Sequence, residues 1–123
     1  MRKDRDVEAK IASEATRAAH RFLLNAMPQL GLTPSHNSGF VSAVRLHDDH
    51  NRYLFSWVPA KAHLTFYVRK PALKATPHLA RSIEHLSLSL TTNRGGEIKA
   101  RIETEADARR LRDWLASELP LHA

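Results

Sequence analysis

The sequence predicts an α+β domain: a single antiparallel sheet of about five strands flanked by a long N-terminal helix, a short middle helix and a C-terminal helix. Three observations carry this expectation. Apolar residues near the N-terminus recur every three or four positions, the period of a helix face, and after Gly39 every second position, the period of a strand. Clusters of turn formers, Asp48 to Asn51 and Asn93 to Gly96, divide the alternating part into hairpins. With 123 residues, 42% apolar and 26% charged, residues 1–123 have the size and composition of a single domain that builds one core without a disulfide or metal staple.

The elements follow in order. From about Asp4 to Met27, Val7, Ile11, Ala15, Ala18, Phe22 and Ala26 form one helix face, stopped by Pro28. Gly31, Pro34, Asn37, Ser38 and Gly39 make residues 28–39 a flexible loop. Phe40, Val44 and Leu46 then share one side of a strand, with Val41, Ala43, Arg45 and His47 on the other. A second strand alternates Tyr53, Phe55 and Trp57 before the Pro59-Ala60-Lys61 turn. In a third, His63 to Lys70, Leu64, Phe66 and Val68 face inward, while Thr65, Tyr67 and Arg69 face outward.

Pro71 ends that strand, and Thr76-Pro77 has the form of a capped helix start, with the helix running to about His85. Leu86, Leu88 and Leu90 alternate with Ser87, Ser89 and Thr91 as a fourth strand, and Ile98, Ala100 and Ile102 mark a fifth. Thr104 stands three residues before Asp107, a capping-box spacing, and Leu111, Trp114, Leu115 and Leu119 supply the face of a last helix stopped by Pro120.

The composition excludes several function classes. There are no cysteines, so disulfides, zinc–thiolate sites and thiol nucleophiles are ruled out, in keeping with a reducing compartment. The highly charged N-terminus does not have the form of a signal peptide, and no apolar run approaches the roughly 20 residues that span a bilayer, so the expected location is cytoplasmic, with no membrane partner. Nineteen Lys and Arg against thirteen Asp and Glu leave a net charge of +6, which favours anionic partners and equally serves solubility.

Chemistry has few places to reside. On the strand alternation above, the sheet face opposite the core displays Arg45, His47, Thr65, Tyr67, Arg69, Ser87, Ser89, Thr91, Lys99 and Arg101. Such a surface holds phosphates through its cations and stacks a base on Tyr67. It also fits the ordinary polar, wet face of an antiparallel sheet. Lys3, Lys10, Arg17 and Arg21 form a basic stripe on the first helix, but Asp6 and Glu14 interrupt it, as in a solvated face laced with ion pairs. Arg109, Arg110 and Arg112 on the last helix fit the same description.

His47-Asp48-Asp49-His50 is the densest group of metal-ligand types among eight histidines, yet its spacing matches no metal signature and suits a turn. Glu97-Ile98-Lys99 places a carboxylate and an ammonium on one side of a strand, as an Asp/Glu-x-Lys nuclease does, with Asp48 or Asp49 as the further metal ligand. The same triplet occurs as Glu8-Ala9-Lys10 in the first helix, so it specifies little. No serine sits in an elbow motif and no phosphate loop is present.

The stretch from Tyr53 to Pro71, with its aromatic strand, Pro-x-Lys turn and apolar strand ending before proline, is followed by Glu97 to Ile102 and a helix opening at Thr104. This pattern resembles the small α+β modules of the MmcQ/YjbR (double-wing) type over roughly the last two-thirds of the chain. The resemblance implies a DNA-binding or accessory role beside nucleic-acid enzymes and carries over no catalytic residue. The leading expectation is therefore a non-enzymatic domain that binds nucleic acid, DNA or RNA, through Arg45, Tyr67, Arg69, Lys99 and Arg101, with no cofactor or metal. The alternative is a protein-interaction module, or a homodimer, that buries the aromatic hairpin Tyr53, Phe55 and Trp57 or the first helix. A metal-dependent nuclease built on Glu97 and Lys99 is the third.

Overall fold

The structure, a computed structural model, describes residues 7–37 and 42–121, without the side chain of Asn37. The expected helix start at Asp4, the stripe residue Lys3 and the strand positions Phe40 and Val41 lie outside the described residues. Helix α1 spans Glu14–Ala26, shorter than the expected 4–27. The Ser13 hydroxyl caps it by accepting the Thr16 N–H at 3.3 Å. The N–H groups of Ala12 and Ser13 instead donate to the Lys61 carbonyl at 2.8 and 2.9 Å, which holds the chain before α1 against the sheet. Val7 and Ile11 are still buried, so the apolar period was real although the helix does not continue through it.

The segment expected as a loop over 28–39 is also ordered differently. A 3₁₀ turn, Met27–Leu30, ends at Gly31 with φ of +80°, a backbone conformation that glycine adopts without steric cost. Strand β1 follows at Thr33–Asn37. Its residues, Thr-Pro-Ser-His-Asn, carry no strand signal; pairing with β2 (Ala43–His47) makes them a strand, and Pro34 is tolerated because β1 is an edge.

Strands β3 (Tyr53–Pro59), β4 (Leu64–Val68), β5 (Ser89–Thr92) and β6 (Ile98–Ile102) complete a sheet of six, in the order β1-β2-β3-β4-β6-β5 with every neighbour antiparallel. The α+β class and the single antiparallel sheet are as expected, with β1 the additional strand. After β4 come α2 (Lys70–Ala75), α3 (Leu79–Ser82) and a 3₁₀ turn, Ile83–Leu86. The helix expected from Thr76 to about His85 corresponds to α3 and the 3₁₀ turn, and α2 is an additional helix before it. Pro71 lies in the first turn of α2, where a missing N–H costs nothing, and Thr76 closes that helix instead of opening one. The strand expected at Leu86 starts only at Ser89, because Leu86 is still in the 3₁₀ turn and Ser87 takes a left-handed φ of 58°.

Helix α4 (Glu105–Glu118) opens with the capping box read from the sequence: the Thr104 hydroxyl accepts the Asp107 N–H at 3.2 Å, and the Asp107 carboxylate accepts the Thr104 N–H at 3.3 Å. Its buried residues Ala108, Leu111, Trp114 and Leu115 join those of α1 and one face of the sheet in a single cluster. Register builds that face. Val44 opposes Trp57, Leu46 opposes Phe55, Trp57 opposes Phe66, Phe55 opposes Val68, and Phe66 opposes Ala100. Phe55 and Phe66 stack with ring centroids 5.8 Å apart. A polar pair at this centre is satisfied internally: Trp57 Nε1–H donates to His20 Nδ1 at 3.0 Å, with both residues at 0% exposure.

Phe55 and Trp57 are therefore unavailable to a partner, which removes the aromatic hairpin as an interaction surface. Tyr53 does not share their side. The register shifts between Leu46 and His47, so that His47 opposes Tyr53; Leu54 occupies the extra position and is buried, while Tyr53 turns to the opposite face. Among the described residues, no helix is long and apolar enough to cross a membrane.

Candidate nucleic-acid interface

The sheet face away from the helices is organised in cross-strand rows. In the first, Ser35, Arg45, Ser56, Tyr67, Lys99 and Thr91 follow one another through direct register pairs across all six strands. In the second, Thr65, Arg101 and Ser89 lie side by side. All five residues singled out from the sequence, Arg45, Tyr67, Arg69, Lys99 and Arg101, thus fall on one face. Ser87 does not, since it precedes β5.

Their side chains differ in commitment. Arg69 is the most engaged: its guanidinium lies 3.7 Å from the centre of the Tyr53 ring, its Nη1 donates to the Tyr53 carbonyl at 2.7 Å, and its Nε stands 3.5 Å from Glu97 Oε2. Arg45 approaches the same ring at 5.4 Å, and His47 packs on it at 5.4 Å between ring centroids. Tyr53 is consequently the organising aromatic of this end of the face, a role the alternation in the sequence hides because only the bulge creates it. Arg101 is held at Nε by Glu103 at 2.9 Å. Lys99 makes no ion pair with any described residue.

A cleft of about 190 Å³ opens over β4, β6 and β5, lined by His63, Thr65, Ser89, Thr91, Lys99 and Arg101 with the backbone at Ala100. No carboxylate lines it. Burial, reinforced by the neighbouring Arg101 charge and opposed by Glu103, holds the His63 imidazole below its ordinary 6.5, so it is neutral at pH 7. His63 was not among the residues singled out from the sequence; it lies two residues before Thr65, on the same side of the strand by period two.

The nuclease arrangement is not assembled. Glu97 is bound by Arg69 and accepts the Asn93 side-chain amide at 3.0 Å. Asp48 follows β2 and Glu97 precedes β6, and with β3 and β4 between them these strands stand roughly 14 Å apart at about 4.8 Å per strand. Among the described residues, no group of three His, Asp or Glu is placed to hold a metal ion.

Asp48 works as a turn residue. Its Oδ1 accepts the His50 and Arg52 N–H groups at 3.0 and 2.8 Å, and its Oδ2 accepts Arg52 Nε at 2.7 Å. Burial alone would raise its carboxyl, but the Arg52 N–H, the Arg52 side chain and the His50 N–H outweigh it and bring the group below its ordinary 3.8. A depressed carboxyl contributes stability above its unfolded value and loses it as pH falls through the folded one. Asp48→Asn should therefore cost about 1 kcal/mol at pH 7, and the difference from wild type should shrink in thermal melts as pH falls below 3.8 and through the folded-state value.

Most basic residues of α1 and α4 are engaged locally. Arg21 pairs with Glu8 at 2.6 Å and Arg17 Nε donates to the Ile11 carbonyl at 3.1 Å. On α4, Arg109, Arg110 and Arg112 pair with Glu105, Asp107 and Asp113 at 2.7, 3.1 and 2.6 Å, and Arg109 and Arg112 also cover the Phe22 ring. Among the described residues, Arg45 and Lys99 of the sheet face make no ion pair, and neither do Lys70, Lys74 and Arg81 of α2 and α3. No protein-family model matches the chain, and no curated protein or solved structure matches it either.

Proposed function

We propose that this chain binds nucleic acid, in single-stranded form, through the open face of its sheet. The observation that carries the reading is the row Arg45–Ser56–Tyr67–Lys99–Thr91, in which the Tyr67 ring has one cation, Lys99, on the adjacent strand and another, Arg45, two strands away on the other side. From Arg45 to Lys99 the row spans roughly 14 Å, three strand spacings, enough for more than one nucleotide. Cations along a face supply phosphate contacts, and a ring among them supplies a sequence-tolerant stacking platform. Tyr53, covered by Arg69 and approached by Arg45, holds these two cations at the β2–β3 end of the face. A single strand suits this geometry because its bases are free to lie on the rings, whereas a shallow sheet does not reach base edges inside a duplex. The resemblance to double-wing modules points the same way by analogy.

The test is a titration of ¹⁵N-labelled protein with short DNA and RNA oligonucleotides, single- and double-stranded, followed by amide chemical shifts. The expected result is saturable change concentrated at Arg45, Ser56, Tyr67, Lys99 and Thr91, strongest for single strands. Change confined to α1 and α4, or none at low salt, would reject the reading.

A further inference from the structure

The cleft over β4, β6 and β5 has a more specific shape than a general backbone track. Lys99 and Arg101 project from the same side of β6, about 7 Å apart along the strand. Each is flanked in register by a hydroxyl-bearing residue on both neighbouring strands: Tyr67 and Thr91 beside Lys99, Thr65 and Ser89 beside Arg101. Donors therefore converge from three strands onto a volume of about 190 Å³. That falls below the roughly 300 Å³ or more of a pocket that engulfs a whole drug-sized ligand. A phosphoryl group fits this space.

Charge and donor count separate two kinds of phosphate. An internal phosphodiester offers two non-bridging oxygens and one negative charge; a terminal phosphomonoester offers three oxygens and a charge of about −1.5 to −2 at pH 7. The cleft provides two cations. Lys99 contributes three N–H donors, Arg101 contributes those not taken by Glu103 on its Nε, and Thr65, Ser89 and Thr91 contribute hydroxyls. We propose that this cleft takes the terminal phosphate of a nucleic-acid strand, with the adjoining base resting on Tyr67 outside it. The inference rests on the nucleic-acid reading above and adds to it a preference for strand ends.

The experiment compares single-stranded DNA oligonucleotides of one sequence, ending in a 5′-phosphate, a 3′-phosphate or hydroxyls only, each labelled at the opposite end, in fluorescence anisotropy. Inorganic phosphate is titrated in parallel against ¹⁵N-labelled protein. The expected result is about tenfold tighter binding of one phosphate-ended strand than of the hydroxyl-ended strand. The Ser89→Ala, Thr91→Ala double variant, altered only at exposed positions, should lose most of that preference. Equal affinity for all three strands would overturn the end preference while leaving the nucleic-acid reading intact. Inorganic phosphate that shifts Lys99 and Thr91 while no oligonucleotide binds would overturn both the strand end as the source and the reading beneath it.

Discussion

Trp57→Ala is expected to lower the stability of the folded chain by about 3–5 kcal/mol, enough to bring the melting temperature down by roughly 10–20 °C in a thermal scan. Trp57 lies at the crossing of two register pairs, opposite Val44 on β2 and Phe66 on β4, with no exposed surface. Truncation leaves a cavity that the neighbouring strands, fixed on both sides, do not collapse into. It also removes the indole N–H that His20 Nδ1 accepts at 3.0 Å. Trp57→Phe removes the same donor with a much smaller loss of ring volume, so its cost should be about 1–3 kcal/mol. A Trp57→Ala protein that melts within a few degrees of wild type would show that the sheet face over α1 is not the packed core described here.

The outcome matters for function because Trp57 fixes β3 between β2 and β4, and the open-face row crosses the same three strands. Ser56, next to Trp57 in the chain, lies in that row between Arg45 and Tyr67. One strand thus carries the core on one side and the spacing of the proposed interface on the other.

Much of this face was legible in the sequence, for a simple reason. In Leu64 to Val68 and Ile98 to Ile102 strict alternation leaves one register that buries the apolar set, and that register places Tyr67, Lys99 and Arg101 outside. The Thr104 capping box was equally legible, because its two partners are three residues apart and need nothing distant. What was hidden depends on contacts far along the chain. Strand β1 has no apolar period and exists only through its pairing with β2. Ser13 starts α1 where the N–H groups of Ala12 and Ser13 bond Lys61, nearly fifty residues away. The bulge that turns Tyr53 outward arises from the match between β2 and β3, and no residue of either strand announces it. The cleft at His63 likewise needs three strands, from two separate hairpins, to be placed side by side.

Reversing the two cations of that cleft should have the largest effect on binding. Lys99 and Arg101 point away from the core, and Arg101 has only the exposed Glu103 as an ion-pair partner among the described residues, so Lys99→Glu with Arg101→Glu should leave the fold and its circular dichroism intact. Each replacement removes a phosphate contact and adds a repulsive one. The expected loss of affinity for single-stranded DNA is about 30–100-fold near 0.1 M salt.

The decisive measurement is the salt dependence of that binding, taken by fluorescence anisotropy on one labelled single-stranded oligonucleotide with wild-type and doubly reversed protein. The account predicts a straight line of log affinity against log salt for wild type, and a line shallower by about 1.4 in the variant, since each lost contact to a single strand removes about 0.7 from the slope. Equal slopes and equal affinities for the two proteins would contradict it, because the phosphates would then be held somewhere other than the open face of the sheet.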